Sequence, residues 1–586
     1  MSVMKNFSPD EEELIQRFIF TNPHHDVSFV YPQPLVAGEE LSPLMSAYSR
    51  THMPMQDRVL QFLDTQKTEQ TRAMLPLIPK LMEIFRLSDG TLNISDRTRD
   101  FNEEFVLLHG HSSIKEETAV FGHVENVADI TMKKITGHPL NKPQVKSTRY
   151  LSYGKVLDMV LEDEDVQLLP NANQVIDYLR RMNQKYLDLS DRLRDAVFDH
   201  PDTTAILQYL SEPEQVHKET LKAFARQRRK DPNFAPLAEA YDKEKKKVLR
   251  GLELDQAKKD IAKFVLDYSR VYLTAANKTS VGFSSDGRTI EEIITLMISS
   301  PRKEDQRVGH ELWNEAKKIA PILLGKNSHI RVDSWKVYQE LELREFMEST
   351  FKNIVVRNFG KPTAKVITPT TLEMYTDRFS AALAVFPYVD ASIIDIADNL
   401  SGKQIREVLA KTHERRSEHD VLASSLAHGG LMHELVMGYH GYRDLFRQRN
   451  GPRSTQLLTT RLGFETPAIL KHFGMDEEYQ LDMKEAARLY EETRSHSVHT
   501  AEKIVPFGAN CRALHSWSPT QVGYIGRLRG NITTGNIAYV ETTREIIAQV
   551  QKLMPETGNY FKIDTKTYPP HLWKKGYGWW DERRRT

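Results

Sequence analysis

The chain has 586 residues, 40% hydrophobic and 27% charged, with 80 basic side chains against 80 acidic ones. These are ordinary values for a soluble globular protein of more than one domain, and the zero net charge argues against a general polyanion binder such as a nucleic-acid protein. A single cysteine, Cys511, excludes an intrachain disulfide and a thiolate zinc cluster, and suits a reducing, cytoplasmic setting.

The N-terminal stretch MSVMKNFSPDEEELIQRF lacks the basic start and apolar core of a secretory signal. No apolar run is long enough to cross a bilayer, so no membrane partner is expected. Pro32, Pro34 and Pro43 predict loops and short helices at the start. Ile176, Leu179, Tyr186, Leu193 and Val197 share one face of a predicted helix that stops at Asp199-His200-Pro201. The lysine run Lys243 to Lys247 reads as a solvated face. Ile261, Phe264, Val265, Tyr268 and Tyr272 predict a second amphipathic helix. Ile290, Ile293, Ile294, Met297 and Ile298 predict a third, stopped by Ser299-Ser300-Pro301. Strand-like pieces are fewer: Arg270 to Ala275, Ile354-Val355-Val356, Ala364 to Thr368 and Ala501 to Phe507. The fold class is α+β, dominated by helices. Glycine, proline and polar residues gather between 325 and 365, which divides the chain into 1–345 and 346–586.

A short internal repeat supports two halves. Lys146-Ser147-Thr148-Arg149-Tyr150-Leu151-Ser152-Tyr153 lies on Arg453-Ser454-Thr455-Gln456-Leu457-Leu458-Thr459-Thr460, each after a helix-like run and a Gly/Pro break. Before the second copy stand Arg443, Arg447 and Arg449. Arginine forks suit phosphate, and an i,i+4 pair such as Arg443 and Arg447 points along one helix face. The segment is either an anion-binding site or a surface turn with an ion pair.

Other motifs point nowhere definite. His433-Glu434 begins like a zinc-protease helix, but position 437 is Met. His109, His111 and His123 close no ligand set, so no metal is expected. Cys511 has no identifiable base. No Walker loop and no GxGxxG motif is present. In the tail, KKGYGWWDERRRT, packed aromatics with a solvated basic end outweigh nucleic-acid contact.

With these residues in view, the sequence resembles the flavin-dependent thymidylate synthases in a two-copy form. The resemblance runs in pieces over roughly 90–350 and 365–560. The family signature is Arg-His-Arg, a spaced Ser, then Ser-x-Arg-Tyr, with an upstream Gly-His-x-Ser-x-x-Glu. Gly110 to Glu116 matches the upstream segment, and Ser147-Thr148-Arg149-Tyr150 the signature's end. Gly137-His138-Pro139 stands where Arg-His-Arg is expected. In the second half Arg447-Gln448-Arg449 resembles Arg-His-Arg, with Ser454 following, while Gln456 stands for the nucleotide-binding arginine. Arg270 lies in the place of a nucleotide-binding arginine, and in the second half Lys503 takes the basic place of the family's Arg-x-x-Leu-Pro segment. Arg529 resembles the helix-end arginine whose place in the first half is Met297.

The resemblance implies two helix-rich domains with antiparallel sheet and a composite site between them. Ser147, Arg149, Arg270 and Arg529 would hold the dUMP nucleotide, with Arg149 and Arg529 catalytic. Arg447, Gln448, Arg449, Ser454 and Arg288 would hold FAD. It further implies methylation of dUMP to dTMP with methylenetetrahydrofolate and NADPH, and a homodimer imitating the family's homotetramer. A non-catalytic nucleotide- or flavin-binding homologue, or a flavoenzyme acting on another nucleotide, stays open.

Overall fold

The structure is a computed structural model. It describes residues 7–17, 19–24, 26–30, 41–65, 73, 75–87, 91–104, 112–149, 151–153, 163–211, 238–325, 328–354, 356–367, 377–415, 431–448, 451–530, 537–553 and 571. Gly110, His111, Tyr150, Arg449 and the tail from 574 lie outside them, as do the side chains of Lys243 to Lys247.

Each half is built on one antiparallel sheet, covered by helices. The first sheet runs β1 (Ile19–Thr21), β2 (Val27–Val30), β3 (Ala119–Ala128), β5 (Lys278–Asp286), β4 (Lys142–Val145). The second runs β6 (Thr363–Ile367), β7 (Leu431–Gly438), β9 (Asn510–Trp517), β8 (Arg453–Thr455). The order β2-β3-β5-β4 thus recurs as β6-β7-β9-β8.

The helices follow the apolar periodicity. Ala172–Asp199 buries Val175, Tyr178, Leu179, Met182, Tyr186, Leu189, Leu193 and Val197 along one stripe. It ends where Pro201 forces His200 into an extended conformation. Gly287–Ile298 is capped by Asp286, whose side chain accepts from the Thr289 N–H, and buries its whole isoleucine face. Burying each such side chain contributes about 1.5–3 kcal/mol.

The four expected strand-like pieces have different outcomes. Thr363–Ile367 is a strand. Arg270–Tyr272 and Glu502–Ile504 are 3-10 turns. Ile354 and Val356 are not in a strand. The central strands β3, β5, β7 and β9 are additions to the sequence reading.

The halves meet around a pseudo-two-fold axis at Thr274 and Pro506, which form an isolated antiparallel bridge. The Ala275 N–H donates to the Val505 carbonyl at 3.1 Å, and the Phe507 N–H to the Leu273 carbonyl at 2.6 Å. The Ala276 N–H donates to Lys503 at 2.8 Å, and the Gly508 N–H to Val271 at 2.9 Å. Each bond has its mate when the halves are exchanged. Gly508 allows this approach: a Cβ there would lie 2.2 Å from the Tyr479 hydroxyl.

One apolar core spans both halves, joining Tyr178, Leu193 and Val271 to Leu435, Tyr439 and Tyr490. Trp335, Tyr338, Leu343, Met347 and Phe351 pack with Phe379, Ile396 and Leu514 of the second half. The expected boundary at 345/346 falls inside the helix Glu342–Thr350 of that segment. Residues of the N-terminal extension, Ile15 to Ile78, form a separate cluster.

Candidate functional site

The pseudo-symmetry fixes which residues are equivalent. Lys146 N–H donates to Ser280 as Gln456 N–H donates to Arg512, and Val145 faces Val281 as Thr455 faces Ala513. Ser147 therefore corresponds to Leu457, not Ser454, and Arg149 to Thr459. The repeat expected from sequence is out of register, because local similarity of hydroxyls does not track strand pairing. Arg270 corresponds to Glu502, since each opens its 3-10 turn.

A cleft of about 180 Å³ lies between the halves. Lys146, Ser147, Thr148, Arg149 and Arg270 line it from the first half, and Arg443, Asp444 and Arg447 from the second. The loop after β4 places Lys146 to Arg149, and the 3-10 turn Arg270–Tyr272 places Arg270; the helix Tyr439–Leu445 and its C-terminal end place the second group. The break after that helix needs Gly451, whose φ is +111° and whose Cβ would meet the Ser516 carbonyl at 2.0 Å. The extension closes one edge: Ser147 N–H donates to Ser49 O at 3.0 Å, and Lys146 Nζ to His52 O at 3.3 Å.

The cations are held in place by acids behind them. Arg149 is bidentate to Asp267, at 2.7 and 2.8 Å. Arg270 donates to Thr148 Oγ1 at 3.3 Å and to Asp444 at 3.4 Å. Arg443 donates to Thr148 Oγ1 at 3.0 Å and to Asp129 at 2.5 Å, with the Phe507 ring 4.6 Å from its guanidinium carbon. Arg447 is exposed. Burial would raise the Asp444 carboxyl, but Arg270, Arg447, Arg149 and Arg529 hold it well below the usual carboxylate range. Arg529 donates to the Tyr539 hydroxyl at 3.1 Å. The Nε atoms of Arg270 and Arg443 are buried without a hydrogen-bond partner among the described residues. Buried donors of this kind mark a place for an acceptor, and a phosphate supplies acceptors in the geometry an arginine fork needs.

A second, larger cavity of about 560 Å³ is the counterpart across the pseudo-axis. Gly137, His138 and Pro139 line it where Arg447 to Arg449 would stand, and Leu457 and Glu502 replace Ser147 and Arg270. Glu502 is satisfied internally: it pairs with Arg302 at 2.9 Å and accepts from the Leu458 N–H at 2.9 Å. Cys511 lines this cavity, and burial pushes its thiol up to about 12, so it is not a thiolate at neutral pH.

Of the residues expected in the site, the structure brings together Ser147, Arg149, Arg270 and Arg447, with Arg529 in electrostatic reach of Asp444. It does not bring Ser454, Gln448 or Arg288 there. Ser454 sits on β8 and lines the larger cavity. Gln448 is buried and accepts from Gln521 Nε2 at 3.4 Å. Arg288 is exposed and pairs with Glu116 at 2.7 Å and Glu292 at 3.4 Å, the latter also bonded to His138. Arg449 lies outside the described residues.

Sequence reasoning left Asp267, Asp444, Lys146 and Lys133 out of the site. Lys133 lines both cavities, 4.0 Å from the Phe446 ring centre.

Residues 84–322 match the family model described as thymidylate synthase complementing protein. The match lies within the first half, which is thus similar to the flavin-dependent thymidylate synthase family. Curated relatives are distant. A UPF0159 protein of Chlamydia muridarum is 23% identical over 308 residues, 51% of this chain and 57% of the relative. One of Chlamydia pneumoniae is 24% identical over 310 residues, with the same coverage. The match thus spans little more than half the length of these chlamydial relatives. A UPF0159 protein of Thermoplasma acidophilum is 22% identical over 484 residues, 81% of this chain and 90% of the relative. That span includes parts of both halves, so the synthase-like first half and its counterpart share one relative. No solved structure matches. No helix among the described residues is long and apolar enough to cross a membrane.

Proposed function

We propose that the chain is a cytoplasmic flavin-dependent thymidylate synthase with one composite site, the basic cleft, which takes dUMP by its phosphate. The reaction would be reductive methylation of dUMP to dTMP, with methylenetetrahydrofolate as carbon donor and NADPH as reductant. The observation that carries the reading is the meeting of Ser147, Arg149 and Arg270 from one half with Arg443 and Arg447 from the other.

In this reading the chain's own residues bind and orient. Arg149, fixed by its fork on Asp267, and Arg270, fixed by Asp444 and Thr148, present donors that need no reorganisation when the phosphate arrives. Ser147 adds a neutral hydroxyl. Arg447, from the other side of the cleft, would hold the phosphates of FAD, with Arg529 adding positive charge near Asp444. FAD, when bound, supplies the hydride. Cationic side chains around the cleft favour negative charge developing on a pyrimidine ring held there. No cysteine nucleophile is required, which agrees with the buried Cys511 thiol.

One observation favours a second reading, a nucleotide-binding homologue without flavin chemistry. Ser454, Gln448 and Arg288 do not join Arg447 in the cleft. Purification decides between them. Yellow protein that turns over dUMP with methylenetetrahydrofolate and NADPH supports the synthase. Colourless protein that binds dUMP without turnover supports the homologue, and no dUMP binding at all sinks both. By analogy with the family's tetramer we also propose a homodimer of the two-half chain, which light scattering tests.

A further inference from the structure

Three histidines far apart in sequence meet away from both cavities. His200 sits at the break between helices Ala172–Asp199 and Pro201–Ser211 of the first half. His472 ends the helix Ala468–His472 of the second half. His571 comes from the C-terminal segment. One ring nitrogen from each lies within 4.8 Å of the others. The rings of His200 and His571 stack at 4.0 Å, and those of His472 and His571 at 4.8 Å.

The polar surroundings of His571 point to a ligand. Its Nε2 lies 3.1 Å from Asp202 Oδ2. Its Nδ1 is buried and has no hydrogen-bond partner among the described residues. With the proton on Nε2 directed at the carboxylate, Nδ1 keeps a bare lone pair in the plane of its ring. A carboxylate behind an imidazole in this way fixes the tautomer and raises the basicity of a metal-binding histidine.

We propose that His200, His472 and His571 bind one divalent transition-metal ion of the zinc class, with Asp202 orienting His571. Nitrogen donors select such an ion over calcium or magnesium, which take oxygen. Metal–nitrogen bonds of about 2.0–2.1 Å put tetrahedral ligand atoms about 3.4 Å apart, so the nitrogens must close by up to about 1.4 Å and the stacked rings must turn until their in-plane lone pairs converge. His200 Nδ1 already accepts from the Asp202 N–H at 3.2 Å, which leaves Nε2 as the His200 nitrogen for the metal. The ion would tie the C-terminal segment to both halves at once. Sequence spacing hides such a site, since its ligands come from three separate segments.

The test uses the full chain without a polyhistidine tag, stripped with chelator and titrated with Co²⁺. One Co²⁺ per chain is expected, with the visible absorption of a low-coordinate nitrogen site, and Zn²⁺ should displace it. His472→Asn changes an exposed ring and should weaken Co²⁺ binding at least tenfold. Asp202→Asn should weaken it about 10–100-fold. No visible band in the wild-type chain overturns the proposal. So does uptake that persists unchanged in both variants, because the metal is then elsewhere. The wild-type titration and the exposed His472→Asn variant suffice if substitutions at His571 impair folding.

Discussion

Arg270 and Glu502 open equivalent 3-10 turns on either side of the pseudo-two-fold axis, with opposite charges. Arg270 is buried in the basic cleft beside Thr148 and Asp444. Glu502 faces the larger cavity and is closed off by Arg302. A phosphate at the second position would meet a carboxylate where the first offers a guanidinium. The chain should therefore bind one dUMP, not two. Calorimetric titration should give a stoichiometry of one per chain, and two equal sites would refute the asymmetry.

Arg149 and Arg447 should be separable by ligand. Arg149→Lys keeps the charge on Asp267 but loses the fork. It should weaken dUMP by about tenfold or more, the scale of one charge-assisted hydrogen bond, and leave bound flavin unchanged. Arg447 is exposed, so Arg447→Ala should fold normally. Its effect should fall on flavin retention, by about 30-fold or more if it grips a cofactor phosphate. Absorbance titration of both variants checks this. Equal losses of both ligands would mean that the two arginines grip a single anion.

The helices and the arginines of the basic cleft were legible in the sequence, for different reasons. Ile290 to Ile298 and Val175 to Val197 carry a helical period that survives any tertiary context. Ser147, Arg149 and Arg270 stand in a short signature. The central strands were not legible. β9 is buried at every position, so Asn510 to Trp517 shows no alternation, and it carries Arg512 and His515 inside. β3 holds His123, both of whose ring nitrogens lack partners among the described residues, and burial drops its pKa to about 3. Such residues read as loop when viewed singly. Ser454 shows the other limit. Its resemblance to Ser147 is local, whereas equivalence is set by pairing across β8 and β9, which no short window contains.

Lys503 should be a keystone of the contact between halves. It is fully buried, and its Nζ lies 2.5 Å and 2.7 Å from the two Asp163 oxygens, 2.9 Å from Asp165 and 3.2 Å from Glu304. Lys278 shares Asp163 and Glu304, at 3.1 and 2.6 Å. Lys503→Met would leave three buried carboxylates with one lysine. Removing one member of a buried charge cluster costs about 3–5 kcal/mol. Urea unfolding should show a loss of that size, while a loss below about 1 kcal/mol would mean that water or relaxation already compensates the cluster.

Acid should weaken the same contact, and the sign follows from the direction of the shifts. Burial would raise the Glu304 carboxyl, but Lys503 and Lys278 hold it below its ordinary value; Arg270 and its neighbours do the same for Asp444. A carboxyl depressed in the folded state stabilises above its unfolded pKa, about 4, and loses that contribution as pH falls toward the folded value. Stability should thus hold near neutrality and drop below about pH 4. Lys503 has the opposite sense: its ammonium is raised by Glu304, Asp163 and Asp165 against the cost of burial. Its contribution is complete below the unfolded lysine value of about 10.4 and fades only as pH rises past it. In Lys503→Met the Glu304 carboxyl loses its strongest cationic neighbour, so its folded pKa must rise. The variant should then lose less stability between pH 7 and about pH 3 than the parent chain does. Parallel denaturant curves for the two chains at several pH values check this, and equal slopes with pH would show that Lys503 does not set the Glu304 ionisation.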